Sequence, residues 1–229
     1  MATLCFDYGH GGEDPGAIYK GRCEKDDVLS LGSKVAKEMR RHEVIVDETR
    51  TKDRSMSLRE RSNFENRKSY DYFISFHRNA FKPEGVQGVE TFTYLNQGAK
   101  AKGLADKIQK SLVDLGFTDR GVKAANFHVL RETKAPAVLI EIGFIDNSKD
   151  NQIFDEKREE MIKVISRAIL SQLGIKYKEE DTLKEALDVL VKKGLINSPD
   201  YWLINAREGK QVKGEFAALL IERVANFYK

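Results

Sequence analysis

The chain of 229 residues has only two cysteines, Cys5 and Cys23, too few for a disulfide framework. Cys5 sits in an apolar run and reads as a small buried hydrophobe. This usage fits synthesis in a reducing compartment. No apolar run approaches the roughly 18 residues that span a bilayer, so membrane insertion by a helix is not expected. The opening segment MATLCFDYGHGGED has no basic region, apolar stretch or cleavage site, and therefore no visible secretory signal. An excess of one charge sign is also missing: 39 Lys and Arg against 36 Asp and Glu leave +3. Both signs are interspersed, which does not point to nucleic acid, and the mild balance would not hinder approach to a polyanionic surface. Internal repeats and low-complexity tracts are absent. What remains is 41% hydrophobic and 33% charged, the composition of a globular protein. The length suits one to two domains and a core that needs no structural metal.

Up to about residue 175, short runs rich in Val, Ile and Phe alternate with helical patterns. Strands are expected at Thr3–Asp7, Val44–Glu48, Tyr72–Phe76, Val86–Tyr94, Phe127–Leu130 and Ala137–Ile142. Helices are expected at Asp26–Arg41, Leu58–Lys68, Ala99–Leu115 and Lys149–Leu173. In the third helix Leu104, Ile108, Leu112 and Leu115 recur at helical spacing and mark one apolar face. The alternation predicts an α/β fold, a mostly parallel twisted sheet with helices on both faces. The composition changes near Gly174. Residues 175–181 read as a linker, and residues 182–229 as a small all-helical C-terminal module of three amphipathic helices.

Ligand sites in open parallel sheets gather beyond the carboxyl ends of strands, and the unusual residues fall there. Asp7-Tyr8-Gly9-His10-Gly11-Gly12 follows the first strand, and its glycines leave room for a ligand near His10. Glu24 precedes a helix start at Lys25–Asp27, and His77 follows the third strand. Glu141 lies inside the apolar run Val138–Phe144. A carboxylate there either faces a polar cleft or has a raised pKa, and both suit a catalytic base. Two imidazoles and one carboxylate make a three-ligand zinc site with an open fourth position. The count allows Glu24 as ligand and Glu141 as base.

Each residue alone also has a plainer reading. A strand-end His is more often structural than a ligand, Glu24 suits a helix N-terminus, and Glu141 can pair with a buried Arg. No HExxH spacing links them, so only their joint occurrence carries the site. Cys23, His128 and His42 are weaker ligand candidates. His42 reads more simply as a cation at a helix C-terminus.

Taken in order, DYGHGGEDPGA, GRCEKDDVLSL, SLRERSNFEN, YFISFHRNA, GVETFTY and DRGVKAANFHVLRETKAPAVLIEIGFIDN resemble the zinc-dependent N-acetylmuramoyl-L-alanine amidases of the amidase-3 family. These are bacterial cell-wall hydrolases and phage endolysins. The resemblance covers residues 2–174. It implies that His10, Glu24 and His77 hold Zn2+ and that Glu141 is the catalytic glutamate. It implies bacterial peptidoglycan as partner, cut at the amide between N-acetylmuramic acid and L-alanine. The family usually has Asp-Pro-Gly-His where this chain has Asp7-Tyr8-Gly9-His10. It often has His-Ala-Asn-Ala in place of His77-Arg78-Asn79-Ala80. Neither departure removes a ligand, and Arg78 is expected on the rim, where it would tune the preferred stem peptide. Asn79 is expected to orient substrate or a neighbouring group, and Asp7 to hold the second ring nitrogen of His10.

Without a visible signal and with a short C-terminal module, the chain looks more like an endolysin or mother-cell lysis enzyme than a secreted housekeeping amidase. It would be made in the cytoplasm and reach the wall after holin action or lysis. The alternatives are a zinc peptidase or deacetylase on peptidoglycan, or a non-catalytic wall-binding protein on the same fold. In the C-terminal module Tyr201, Trp202, Phe227 and Tyr228 suit wall binding or a small helical core. Homodimerisation through the apolar helix faces is a third expectation.

Overall fold

Three apolar runs form the centre of the molecule because their side chains find cover on both sides. They are Thr3–Tyr8 (β1), Tyr72–Asn79 (β5) and Ala137–Phe144 (β8), and nearly all their residues are buried. In this computed structural model, residues 1–96, 98–179 and 182–228 are described. β1 pairs in parallel with β5 and with Ile45–Glu48 (β4). β5 pairs in parallel with β8. Val89–Thr93 (β6) joins β8 antiparallel and carries Asp119–Ala124 (β7) in parallel on its outer side. The six-stranded order is β4-β1-β5-β8-β6-β7. The parallel pairing brings the carboxyl ends of β1, β5 and β8 to one edge.

Helices cover both faces. On one face lie Glu24–Arg41 (α1), Ala99–Asp114 (α3) and Arg158–Gln172 (α6). Their Leu31, Val35, Leu104, Ile108, Ile165 and Ile169 join Phe6, Ile74 and Ile140 of the sheet in one buried cluster. On the other face Leu58–Glu65 (α2) and His128–Arg131 (α4) bring Phe64, Val129 and Leu130 to Cys5, Phe73, Ala137 and Leu139. Each such fully buried aliphatic or aromatic side chain contributes about 1.5–3 kcal/mol. A capping box starts α2: Ser57 N donates to Glu60 Oε2 at 2.8 Å, and Glu60 N donates to Ser57 Oγ at 3.3 Å.

Three expectations change. Phe127–Leu130 is not a strand; Phe127 is the N-cap of α4. The outer strand is instead β7, whose sequence DRGVKA is polar because an edge strand needs no continuous apolar cover. The helix expected over Lys149–Leu173 is two helices, Ser148–Glu156 (α5) and α6, broken at Lys157 (φ −105°, ψ 24°). The Asn147 side chain caps α5 by accepting from Lys149 N and Asp150 N. A short hairpin, Ile18–Tyr19 (β2) with Arg22–Cys23 (β3), leads into α1 and has no apolar pattern to announce it.

The chain divides into two compact units, Met1–Tyr177 and Lys178–Lys229. Within the segment expected as a linker, Ile175 and Tyr177 pack on the core of the first unit, whereas Glu180 and Asp181 lie outside the described residues. The second unit holds Thr182–Lys192 (α7), Pro199–Asn205 (α8) and Gly214–Phe227 (α9). Leu187, Leu195 and Ile196 are buried in it. The Tyr201 ring packs on Phe216 at 4.5 Å and edge-on to Trp202 at 6.1 Å. Phe227 and Tyr228 stay exposed. Among the described residues no helix is long and apolar enough to cross a membrane.

Candidate active site

The sheet places His77 and Glu141 side by side. They are register partners on β5 and β8, so their side chains leave the same face. Next to them at the end of β1 lies Gly9, whose N–H donates to the Phe76 carbonyl at 3.1 Å. A side chain there would force His77 to move: a Cβ on Gly9 would lie 2.2 Å from His77 Cε1. His10 then turns back in the left-handed region (φ 61°), which costs a residue with a Cβ roughly 1 kcal/mol. The turn is held by its surroundings. Gly11 N donates to the Asp14 carbonyl at 2.8 Å, and Arg61 Nη2 donates to the His10 carbonyl at 2.7 Å. Arg50 Nη2 donates to the Gly9 carbonyl at 2.9 Å.

Glu24, the first residue of α1, completes the group. The helix N-terminus favours its negative charge, and Ala17 N and Arg78 N each donate to it at 3.0 Å. Its two oxygens face the two imidazoles: Oε2 is 3.1 Å from His10 Nε2, and Oε1 is 3.0 Å from His77 Nδ1. One donor atom from each of His10, Glu24 and His77 lies within 4.8 Å of the others. Burial alone would raise the Glu24 carboxyl, but the two imidazoles hold it far below the usual carboxylate range. Conversely, burial opposes charge on His10, yet Glu24 and Asp14 push its pKa up to about 9. His77 is raised in the same way, chiefly by Glu24 against burial. The three groups thus form a cation-seeking cluster of two nitrogens and one carboxylate, and a divalent ion competes with protons for the same atoms.

Glu141 faces this cluster. Among the described residues its Oε2, which is buried, has no hydrogen-bond partner, an arrangement that raises the energy of the charged form. Burial, with Glu24 and Glu90 adding to it and His77 opposing, pushes its pKa up to about 7. A cavity of about 430 Å³ opens beside it, bordered by His10, His77, Glu141, Met56, Phe127 and His128.

The structure therefore brings His10, Glu24, His77 and Glu141 together. The roles expected of Asp7 and Arg78 change. Asp7 does not reach His10. It is fully buried and accepts from Thr49 Oγ1 at 2.8 Å, Arg61 Nη1 at 2.7 Å and Ser75 Oγ at 2.7 Å. His10 Nδ1 instead lies 2.8 Å from Asp14 Oδ2, because the left-handed turn swings the imidazole away from the strand. Arg78 is not on the rim. Its position on β5 points to the opposite face, where it pairs with Asp27 at 2.7 Å and lies 4.3 Å over the Phe154 ring. Asn79 donates to Glu90. Cys23 is the N-cap residue of α1 and is not part of the metal-competent group. His128 borders the cavity, with Nε2 3.2 Å from Ser62 Oγ. His42 is buried at the C-terminal end of α1, its Nδ1 3.0 Å from the Glu38 carbonyl. The sequence does not point to the supporting role of Arg50 and Arg61. Both are buried, yet neither the arginine at 50 nor the one within SLRERSNFEN has a periodicity around it that shows this.

Residues 4–171 match the model of the amidase-3 family, described as N-acetylmuramoyl-L-alanine amidase. The chain is 39% identical over 155 residues to the N-acetylmuramoyl-L-alanine amidase CwlM of Bacillus licheniformis, covering 66% of this chain and 59% of that protein. It is 42% identical over 158 residues to the endolysin of Bacillus phage SPP1, covering 66% of this chain and 58% of that protein. The chain thus spans less than two thirds of the length of these relatives. Among solved structures, an N-acetylmuramoyl-L-alanine amidase from Clostridium difficile 630 superposes with a TM-score of 0.72 at 35% identity, covering 76% of this chain and 98% of that one. The catalytic domain of CwlV from Bacillus (Paenibacillus) polymyxa var. colistinus gives 0.71 at 31% identity, covering 77% and 100%. The family match takes in β1, β5, β8 and the start of α1, the elements that assemble the two histidines and two glutamates, and by that match the chain belongs to the amidase-3 family.

Proposed function

We propose that the first unit hydrolyses the amide joining the lactyl group of N-acetylmuramic acid to L-alanine in peptidoglycan, with zinc held by His10, Glu24 and His77 and with Glu141 as general base. The observation that carries this reading is a buried carboxylate oxygen of Glu141, unpartnered among the described residues, facing two imidazoles and a carboxylate whose donor atoms converge within 4.8 Å. The donor set fits zinc: two nitrogens and one oxygen, leaving coordination open to water and substrate. When bound, the ion supplies Lewis acidity, polarising the scissile carbonyl and acidifying water.

The protein's own residues do the rest. Asp14 orients the His10 ring through Nδ1 and so leaves Nε2 as the ligand atom. Glu24 is fixed by backbone donors from two different segments, which holds its oxygens toward the imidazoles. Glu141 takes the proton of the attacking water at its carboxylate. It then returns that proton to the departing amine of L-alanine, so that the C–N bond breaks with a neutral leaving group. Burial pushes the Glu141 carboxyl up to about 7 in the metal-free chain and a bound cation draws it lower, so it is a carboxylate near neutral pH and free to accept the proton. The cavity beside Glu141 receives the substrate on the α2–α4 face.

Digestion of purified peptidoglycan followed by mass spectrometry tests the assignment. The expected products carry new L-alanine amino termini, with no release of acetate. Glu141→Gln should keep its zinc and lose at least about a hundredfold in rate. An active Glu141→Gln enzyme would refute the base assignment. Acetate release, or cleavage within the peptide, would refute the bond assignment.

A further inference from the structure

One strand beyond Glu141 the sheet carries a second polar group. Glu90 on β6 is the register partner of Glu141 and is 5% exposed. Its Oε1 accepts from Asn79, and its Oε2 accepts from Lys123 Nζ and, at 3.2 Å, from Arg120 Nε. Two cations thus meet one carboxylate, which leaves an excess of positive charge at this point.

The backbone explains why Arg120 comes here. The β6–β7 register shifts between Val89 and Thr91, so Arg120 and Gly121 together oppose Glu90. Gly121 takes a positive φ (84°), which the bulge needs and a side chain would resist. The bulge turns the guanidinium over Glu90 and 5.0 Å above the Phe144 ring. Only Nε is engaged. Among the described residues the two terminal amino groups of Arg120 donate to nothing, and the side chain is 32% exposed. Lys123, the register partner of Phe92, shares the sheet face of Glu90 and Glu141 and is 41% exposed.

An arginine held by Nε with its outer fork open is shaped to receive a carboxylate through two parallel hydrogen bonds. Strands lie about 4.8 Å apart, so β7 is roughly 10 Å from the Glu141 strand. Extended peptide covers that distance in about two to three residues. Resting on the amidase reading above, we propose that Arg120, assisted by Lys123 and oriented by Glu90, binds a carboxylate of the substrate's peptide close beyond the bond that is cut. The site would therefore distinguish stem peptides whose second residue bears a free α-carboxylate from those in which it is a carboxamide.

Steady-state kinetics of the full chain on two matched muropeptides, one acid and one amide at that position, test this. The wild type is expected to favour the acid by about tenfold in KM, the ordinary consequence of a charge-assisted hydrogen bond. Arg120→Gln should bring the ratio of the two KM values close to one. Arg120→Lys keeps a charge against Glu90 but loses the fork, and should fall between. A wild type that does not distinguish the two peptides overturns the inference and leaves the amidase reading intact. A ratio that persists in both Arg120 variants does the same. If the wild type releases the peptide from neither substrate, the amidase reading fails and takes this inference with it.

Discussion

Replacing Gly9 by Ala tests the link between backbone shape and metal binding most directly. The added Cβ would lie 2.2 Å from His77 Cε1, 2.6 Å from Nδ1 and 2.7 Å from Nε2. Carbon atoms settle at about 3.5 Å or more, so the imidazole must retreat by about 1.3 Å. His77 cannot absorb this by sliding along the rung, because Glu141 occupies the neighbouring position on β8. Metal–ligand distances tolerate only about 0.2 Å, so the retreat removes one of the three proposed donors from the zinc. Disturbing groups that merely support a ligand already lowers affinity about 10–100-fold. Displacing the ligand itself should cost at least a hundredfold. The fold should lose less, about 1–3 kcal/mol, the usual range for a small overpacking change. Zinc affinity by competition with a chromogenic chelator, together with urea unfolding of the same preparation, separates the two effects. A folded Gly9→Ala protein that binds zinc with wild-type affinity would refute the proposed placement of the ion.

Two further outcomes follow from the buried charges. Glu141 acts as a base only when deprotonated, so kcat/KM should fall as the pH drops through its pKa. That value is about 7 in the metal-free chain, and a bound cation draws it lower. The acid limb of the zinc-saturated enzyme therefore belongs at or below about 7, and a rate that rises on acidification would contradict the assignment. Arg61→Met strands Asp7, a fully buried carboxylate, and should destabilise the fold by about 3–5 kcal/mol at neutral pH in urea unfolding. Burial alone would raise Asp7, but Arg61 and Ser75 hold it below its ordinary value of 3.8. Its contribution is thus complete above that value and is lost as pH falls through the lower folded-state value. The gap between Arg61→Met and wild type should narrow below about pH 4, and a gap that is unchanged there would exclude this ion pair as its source.

The parts legible in the sequence share one physical property: they are dictated by burial on two faces. The runs around Phe6, Ile74 and Ile140 read as strands because nothing else accommodates so many branched and aromatic residues in so short a span. Glu141 stands out because a carboxylate in such a run needs a polar cleft or a partner. β7 has no apolar signal because an edge strand is free to be polar, and Phe127–Leu130 misleads because its three apolar residues suit a helical turn packed on a sheet equally well. Asp7, expected to hold His10, is instead enclosed by Thr49, Arg61 and Ser75. The left-handed turn at His10, a local conformation that hydrophobic patterning does not encode, hands that partnership to Asp14. Arg50 and Arg61 carry no signal for a related reason: apart from the Asp7 carboxylate that Arg61 also meets, their acceptors are backbone carbonyls of β1, the following turn and neighbouring segments, and backbone groups have no signature in a sequence.

His77, Glu141 and Glu90 belong to one transverse row of three adjacent strands, and the strand that carries Glu90 runs against the other two. Slippage of any one strand by a single residue would send its member of the row through to the face covered by α1, α3 and α6. A misaligned intermediate could therefore keep most of its secondary structure and still be inert. During refolding, recovery of hydrolysis should lag behind recovery of the far-ultraviolet signal, and turnover becomes a gauge of whether the strands have found their native alignment.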